Sequence, residues 1–196
     1  MRLYNKYVII FALRGLMRYR LQRQAKQREN RLNNNLLILG AGGYGHVVRE
    51  IAEDSGIFDK IDFLDDSSPL AIGKFGDAEK FLKGYPNAVV ALGNAELRLG
   101  YIEKLRAAGF QIPAIISPRA YVSKSAKIAA GCVVESMAIV NANAALSEGV
   151  FVCAGAIVNH NSSVGKVCTL QCGSVTPANS TLPDKTALKY NEVYGV

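Results

Sequence analysis

The feature that most constrains the fold is a six-residue repeat in the second half of the chain. Stepping by six from Ile116 to Leu182 gives twelve positions, and eleven of them are Leu, Ile or Val. The residue two places before each is nearly always small, and glycine recurs three places after several of them. These glycines are Gly131, Gly149, Gly155 and Gly173. Helices and ordinary strands have periods of about 3.6 and about 2, and neither keeps a six-residue phase.

A six-residue unit of this kind supplies one short strand and one turn. Three units close a triangular coil, and successive coils stack about 4.8 Å apart through parallel backbone hydrogen bonds. The aliphatic side chain points inward, only a small side chain fits beside it at the corner, and glycine takes turn conformations that other residues resist. The repeat therefore predicts a parallel β-helix over residues 116–182.

The segment 36–115 alternates strand and helix patterns, which is typical of a small parallel sheet covered by helices. A compact apolar strand, Leu36–Leu39, runs directly into the glycine-rich loop 40–45. The other predicted elements are a helix with Val47, Val48, Ile51 and Ala52 on one face, a strand at 61–64, a short helix near 77–83, a strand at 88–92, and a helix from 95 to 108 with Leu97, Tyr101, Leu105 and Ala108 on one face.

The net charge of +7 is unevenly distributed. Residues 1–35 contain nine Lys or Arg and one acid, so the rest of the chain has a net charge of −1 and a nucleic-acid groove there is not expected. The apolar run 7–13 is too short to span a bilayer. Two interpretations of this basic extension stay open: a basic amphipathic helix in peripheral contact with anionic lipid, and an extension unrelated to the chemistry, which we favour.

The four cysteines lack the paired spacing of a zinc site, and only two histidines are present to complete one. We interpret the cysteines as buried thiols in a reducing compartment, and we expect no metal and a cytoplasmic protein.

The order of motifs, GAGGYGH after a strand, then LDD, then LGN, then six-residue repeats, resembles one known family. It is similar to the bacterial sugar O- and N-acetyltransferases of the sialic-acid and bacillosamine pathways, including UDP-4-amino-sugar N-acetyltransferases. The resemblance covers about residues 36–175. It implies a Rossmann-like UDP-sugar-binding domain at 36–115, after the basic extension 1–35, and a left-handed β-helix acyltransferase domain at 116–196. The left hand follows from the resemblance alone.

The resemblance also implies ligands and site residues. The α/β domain would bind the UDP-sugar, and the β-helix would bind acetyl-CoA between neighbouring subunits of a homotrimer. The matching substrate-binding positions are Gly42, Gly43, Tyr44, Asp65, Asp66, Gly93 and Asn94. Thr169 and Gly173 are expected to bind the cofactor, and an amide near Gly173 or from a neighbouring subunit is expected to stabilise the oxyanion. Two alternatives for the loop stay open: an NAD site, although only four strands fit before the repeats, and a glycine turn used only for packing.

Acetyl transfer needs a base that removes a proton from the attacking amine or hydroxyl, and histidine titrates near neutrality. His46 lies in the first turn of a helix, where it is a nucleotide neighbour or a capping residue. His160 falls at an outward corner of the repeat and matches the family's catalytic base. The family commonly has Asp or Glu next, whereas this chain has Asn161, which can orient the ring. Glu135 and Glu148 are candidate replacement carboxylates.

We therefore expect an acetyl-CoA-dependent acetyltransferase of nucleotide-sugars in surface-glycan biosynthesis, with His160 as general base. The alternative is a trimeric scaffold that binds a nucleotide-sugar without turnover. Asn161 and a repeat that fades after Leu182, with Pro177 and Pro183, motivate that alternative.

Overall fold

The computed structural model of the chain describes residues 33–195. Within that range, the first half forms a four-stranded parallel sheet in the order β3-β2-β1-β4. The strands are β1 at Leu36–Leu39, β2 at Ile61–Leu64, β3 at Ala71–Gly73 and β4 at Asn87–Val90. β1 pairs in parallel with both β2 and β4, and its four residues are fully buried because both faces of the sheet are covered. The central strand is thus a continuous apolar run, as buried parallel strands usually are.

Three α-helices cover this sheet within the described residues: α1 at Gly43–Ser55, α2 at Ala78–Phe81 and α3 at Ala95–Ala107. A 3-10 helix, Phe75–Asp77, precedes α2. α1 packs on one sheet face, and α2 and α3 pack on the other. α1 ends at Gly56, which has a left-handed backbone (φ 63°).

The buried face of α3 differs from the predicted one. Leu97 is 55% exposed, whereas Arg98, Ile102 and Leu105 are buried. The prediction followed the apolar residues Leu97, Tyr101, Leu105 and Ala108 and did not include position 98, which is an arginine. The structure uses that position as the inner face of the helix.

The second half is the predicted left-handed parallel β-helix, built from two-residue strands. The strands are β5 at Ile115–Ile116, β6 at Tyr121–Val122, β7 at Lys127–Ile128, β8 at Val133–Val134, β9 at Ile139–Val140, β10 at Ala145–Leu146, β11 at Phe151–Val152, β12 at Ile157–Val158, β13 at Ser163–Val164, β14 at Thr169–Leu170, β15 at Val175–Thr176, β16 at Thr181–Leu182 and β17 at Ala187–Leu188. Every third strand pairs in parallel, which gives three flat faces.

We name the three faces by what lies on their outer side. The covered face (β5, β8, β11, β14, β17) packs against the α/β half through Ile115, Val133 and Phe151. The apolar face (β6, β9, β12, β15) presents Tyr121, Ile139, Ile157 and Val175. The polar face (β7, β10, β13, β16) presents Lys127, Ala145, Ser163 and Thr181. The chain runs from covered to apolar to polar face in each coil.

The three edges are named after one residue each. The Glu135 edge joins the covered and apolar faces, the His160 edge joins the apolar and polar faces, and the Glu148 edge joins the polar and covered faces.

The six-residue prediction is confirmed in detail. The aliphatic positions form the second residue of each strand and point into one continuous core, with the small residues beside them. Every sixth residue from Gly131 to Asn191 has a positive φ, between 47° and 73°. Four of these residues are glycine and four are asparagine, the two residue types that adopt this conformation most readily.

The repeat continues further than the sequence indicated. β17 keeps the six-residue phase at Leu188, which is buried, and Val193 forms a further parallel bridge with Val175. Pro177 and Pro183 do not interrupt it because each follows a two-residue strand, at a turn.

The four cysteines are unpaired, and Cys132, Cys153 and Cys168 are buried. The α/β half and the β-helix pack as one compact unit from Asn34 onward. The predicted boundaries between the three domains stay a prediction.

Candidate functional site

The glycine-rich loop between β1 and α1 contains glycines of two kinds. A Cβ atom on Gly45 would lie 2.0 Å from the carbonyl oxygen of Gly40, so only glycine allows the helix to approach the strand this closely. Gly40 itself has a φ of +109°. Gly42 and Gly43, in contrast, are exposed, lack a positive φ, and would have nothing within 4 Å of an added Cβ. The fold therefore gives no reason for glycine at 42 and 43, and bare backbone is what a ligand at a helix N-terminus needs.

Asp65 and Asp66 follow β2 at the same end of the sheet. One carboxylate oxygen of Asp65 accepts a hydrogen bond from the amide of Ala41 (2.9 Å), and the other accepts from the amides of Ser67 and Ser68 (both 2.9 Å). These hydrogen bonds hold the pKa of Asp65 at about 2, well below its ordinary value. Asp65 thus fixes the start of the glycine loop, while the exposed Asp66 accepts from the amide of Phe75 (3.1 Å).

Gly93 and Asn94 follow β4 at this end as well. The side chain of Asn94 accepts a hydrogen bond from the amide of Leu97 (3.0 Å) and so caps α3. Gly93 is exposed, and an added Cβ would have nothing within 4 Å. Because the carboxyl ends of parallel strands meet at one edge, all these residues lie together. We call Gly42, Gly43, Asp65, Asp66, Gly93 and Asn94 the loop edge.

Tyr44 belongs to the loop by sequence but its side chain turns inward. Its ring stacks on Phe151 of the covered face, with ring centroids 4.6 Å apart. The hydroxyl oxygen is buried without a hydrogen-bond partner, and burial raises the pKa of Tyr44 well above its ordinary value. The side chain therefore holds α1 against the β-helix, and the predicted substrate contact of Tyr44 reduces to its backbone. His46, two residues further along, is exposed and packs edge-on against Phe63 (ring centroids 5.3 Å apart).

A cleft of about 420 Å³ opens between the 3-10 helix with α2 on one side and α3 on the other. Leu39 lies at its base, and the rings of Phe75 and Tyr101, 5.2 Å apart, form its walls. Lys104 lies over the Tyr101 ring at 5.2 Å. The hydrogen bond from Phe75 to Asp66 joins this cleft to the loop edge.

His160 is exposed at the edge between the apolar and polar faces. One coil earlier and one coil later the equivalent positions are Ala142 and Ala178, so no large side chain crowds the imidazole along the stack. Its neighbour Asn161 has a φ of 58° and belongs to a ladder: Asn143 donates to Asn161 (3.1 Å), and Asn161 donates to Asn179 (3.1 Å). Both interactions are between the side-chain amides.

The other β-helix residues expected in the site lie elsewhere. The hydroxyl of Thr169, on the covered face, accepts a hydrogen bond from Arg98 (3.0 Å). Gly173 lies on the Glu135 edge, and its amide donates to the carbonyl of Ala154 (3.1 Å). The Gly173 amide is thus used in the coil-to-coil ladder. An oxyanion role for another amide near Gly173, or for one from a neighbouring subunit, stays a prediction.

The two candidate carboxylates also lie away from His160. Glu135 is buried on one of the other edges and accepts a hydrogen bond from the amide of Ala154 (3.1 Å). Glu148, on the third edge, pairs with Arg106 of α3. Neither carboxylate supports His160 within one chain, because the three residues lie on three different edges of the prism.

The structure thus brings together the residues of the loop edge, with Thr169 nearby, but separates them from His160. The α/β half lies against the covered face, and the His160 edge is opposite that face. Within one chain the two groups do not form a single site.

Arg98 is the residue that the sequence interpretation missed. It is fully buried between α3 and the β-helix. Its spacing with Ile102 and Leu105 along the helix was the available signal.

The interpretations of the basic segment 1–35 fall almost entirely outside the described residues. Between residues 33 and 195, no helix is both long and apolar enough to cross a membrane.

Comparison with known proteins identifies relatives of this arrangement. Residues 35–105 match the family model of the PglD N-terminal domain. The acetyltransferase domain of PglB from Neisseria gonorrhoeae is 29% identical, over 82% of this chain and 91% of that chain, with a TM-score of 0.76. The same domain in complex with acetyl coenzyme A is 26% identical, over 82% of this chain and 98% of that chain, with a TM-score of 0.54.

A variant of perosamine N-acetyltransferase from Caulobacter crescentus, in complex with CoA and GDP-perosamine, is 23% identical. The match covers 81% of this chain and 87% of that chain, with a TM-score of 0.66, and at this identity it supports the fold alone. A search of curated proteins gave no match. The comparisons confirm the expected fold of a short α/β domain followed by a β-helix.

Proposed function

We propose that this chain, an acetyltransferase by its fold and by its similarity to the PglB domain, transfers an acetyl group from acetyl-CoA to a nucleotide-linked sugar. The acceptor is the amino or hydroxyl group of a UDP-linked sugar used in bacterial surface-glycan biosynthesis, and His160 is the general base. The observation that carries the proposal is the surroundings of His160: an exposed imidazole between two alanines, at the border of the apolar face.

The loop edge supports a nucleotide-sugar as substrate. The first amides of α1 have no partner within the helix and, with the helix dipole, favour a phosphate group. Gly42, Gly43 and Gly93 leave the backbone bare beside those amides. The exposed carboxylate of Asp66 can accept from a ribose hydroxyl, and the Phe75–Tyr101 cleft offers aromatic walls for a base.

The chemistry assigned to His160 is general base catalysis. The imidazole removes the proton from the attacking nitrogen or oxygen as that atom bonds to the carbonyl carbon of the thioester. Collapse of the tetrahedral intermediate breaks the carbon–sulfur bond, and the proton leaves with sulfur as the free thiol of CoA. The acetyl group stays on the sugar, and no redox partner is needed.

A complete site needs a second copy of the chain, because the loop edge and His160 lie on opposite sides of one protomer. The apolar face supports a homotrimer. Tyr121 is 59% exposed there, and Ile139, Ile157 and Val175 continue the same stripe. A neighbour packed on this face would border the His160 edge and close the cleft in which acetyl-CoA binds.

The alternative function is a trimeric scaffold that binds a nucleotide-sugar without turnover. The observation in its favour is the position of Asn161: its side chain belongs to the asparagine ladder, and Glu135 and Glu148 lie on the other two edges. Among the described residues, the His160 edge therefore offers no carboxylate to stabilise the imidazolium.

The two functions are separated by following free thiol released from acetyl-CoA with a panel of UDP- and GDP-linked amino sugars. We expect turnover with a UDP-linked amino sugar, and a loss of about 10²–10⁴ in kcat for His160→Ala. Lys124→Ala is the matched control, because Lys124 is exposed in the same column of the His160 edge. Thiol release that survives His160→Ala would remove His160 as the base. Nucleotide-sugar binding without thiol release from any acceptor would establish the scaffold.

A further inference from the structure

Arg98 is the largest fully buried side chain among the described residues, and it carries a formal charge. Its guanidinium donates in three directions. Nη1 donates to the carbonyls of Leu92 (2.7 Å) and Gly93 (3.2 Å) at the loop edge. Nε donates to the carbonyl of Gly149 (3.0 Å), and Nη2 donates to the carbonyl of Val167 (2.6 Å) and to the hydroxyl of Thr169 (3.0 Å). One side chain therefore ties the end of β4 to the β-helix.

None of these hydrogen-bond acceptors is a carboxylate. Buried arginines are ordinarily paired with an acid, because an uncompensated charge in a low-dielectric interior is unfavourable. Burial lowers the pKa of Arg98 to about 10, so the guanidinium stays protonated at neutral pH. Another arginine of the same helix, Arg106, is paired with Glu148. Arg98 is thus a net positive charge, fixed in position and only partly balanced by carbonyl dipoles.

The guanidinium also contacts an aromatic pair that reaches the glycine loop. It lies over one ring, Phe151, at 3.9 Å, and Tyr44 stacks on the same ring with centroids 4.6 Å apart. Tyr44 is in the first turn of α1. The charge of Arg98 acts on Tyr44, lowering the pKa that burial raises. Arg98 is therefore linked to both sides of the loop edge, to Gly93 by a hydrogen bond and to α1 through the aromatic pair.

A backbone strain is found at the same place. Val167 has a φ of 47°, a left-handed conformation that a β-branched residue rarely adopts. Its carbonyl accepts the shortest of the Arg98 hydrogen bonds, so the guanidinium offsets part of the strain.

We propose that Arg98 is a positioning residue for the substrate diphosphate: its buried, unpaired charge favours the dianion at the loop edge, and its hydrogen bonds fix the Gly93 turn. The inference rests on the proposed nucleotide-sugar substrate. Because the hydrogen-bonding capacity of the guanidinium is directed at protein acceptors, Arg98 acts through the electrostatic potential and through the turn rather than by touching the ligand. It therefore favours a nucleoside diphosphate over the uncharged nucleoside.

The test compares the affinities of the full chain for UDP and for uridine by calorimetry, in Arg98→Met, Arg98→Lys and the wild type. Unit charges about 10 Å apart at an effective dielectric constant of about 20 change an equilibrium constant by roughly tenfold. We expect Arg98→Met to reduce the ratio of UDP affinity to uridine affinity by about tenfold, and Arg98→Lys to retain most of it. Arg106→Met is the matched control, and we expect it to leave the ratio unchanged.

Both variants at position 98 lose hydrogen bonds to buried carbonyls, so a fall in melting temperature is expected and does not decide the question. The pH dependence of the UDP-to-uridine affinity ratio in Arg98→Lys decides it. A buried lysine loses its proton at lower pH than arginine. Between about pH 7.5 and about pH 9.5 the UDP-to-uridine ratio should fall in Arg98→Lys and stay flat in the wild type. This readout does not require Arg98→Met to fold.

The inference is overturned if UDP and uridine weaken equally in Arg98→Met, or if the ratio in Arg98→Lys is independent of pH. If the wild type itself binds UDP no better than uridine, both the inference and the proposed nucleotide-sugar substrate are wrong. The two failures are therefore distinguishable.

Discussion

The glycine loop and the His160 edge differ in structure, but both contain residues that the fold requires next to residues that it does not require. In the loop, Gly40 and Gly45 are required by the fold, whereas Gly42 and Gly43 are not. On the His160 edge, one residue in each coil from Asn143 to Asn179 takes a positive φ, whereas the residue before it varies between alanine and histidine. In both regions the residues proposed to act on substrate are those for which packing gives no reason. The comparison teaches that the residues of a motif that the fold itself requires must be identified first. Only the remaining residues are evidence for a ligand-binding or catalytic site.

The largest expected effect comes from substituting the two kinds of loop glycine in turn, the kind that the fold requires and the kind that it does not. Gly45→Ala would push a Cβ atom into the carbonyl oxygen of Gly40, a backbone atom that cannot move aside. We expect it to lower the free energy of unfolding by about 3 kcal/mol or more, measured by denaturant titration. Gly43→Ala is the control, and we expect stability within about 0.5 kcal/mol of the wild type but weaker nucleotide binding. Equal destabilisation by both would mean that the loop glycines serve only packing.

A smaller loss of stability is expected from a substitution at Asp65, which holds the glycine loop by hydrogen bonds rather than by close packing. Asp65→Asn should lower the free energy of unfolding at pH 7 by about 1–3 kcal/mol, because charge-assisted hydrogen bonds to three amides are weakened. The folded-state pKa of Asp65 lies below its ordinary value, so the contribution is complete above about pH 4 and is lost as the pH falls towards 2.

The free energy of unfolding of both proteins, measured at pH 7 and at about pH 2, checks that the contribution of Asp65 falls with pH. Glu50→Gln, on the exposed side of α1, is the control. A difference between wild type and Asp65→Asn that stays constant down to pH 2 would mean that the carboxylate does not hold the loop.

The smallest effect is expected at Asn161, the residue next to the proposed base. Asn161→Gly keeps the positive φ and removes two side-chain hydrogen bonds of the exposed ladder. We expect a loss of about 1 kcal/mol or less in stability and a change in kcat of at most about threefold. Asn143→Gly, one coil earlier in the same ladder, should behave alike. A much larger loss of kcat in Asn161→Gly alone would show that Asn161 orients the imidazole.

The β-helix could be predicted almost residue by residue because its period repeats a single local rule in every coil. Its continuation to Leu188 was missed because Pro177 and Pro183 were interpreted as signs of a fading repeat, although a turn requires no ladder amide from them. β3 was missed because a three-residue edge strand carries little pattern.

The loop edge could also be located from sequence, since glycines and acids at strand ends are local signals. The inward turn of Tyr44, the burial of Arg98 and the separation of His160 from Glu135 and Glu148 could not. Each depends on contacts between residues that are far apart in the chain, which a six-residue or helical period does not encode.

The central claim is that the loop edge of one copy and the His160 edge of another form each site, and complementation tests it most directly. His160→Ala and Gly43→Asp should each be inactive, the second because a carboxylate at the helix N-terminus repels the diphosphate. The measurement is thiol release from acetyl-CoA by oligomers reassembled from a mixture of the two variants. We expect activity to reappear, because mixed oligomers contain sites with both wild-type edges. Mixed oligomers that form but remain inactive would contradict the account and assign both edges to one chain.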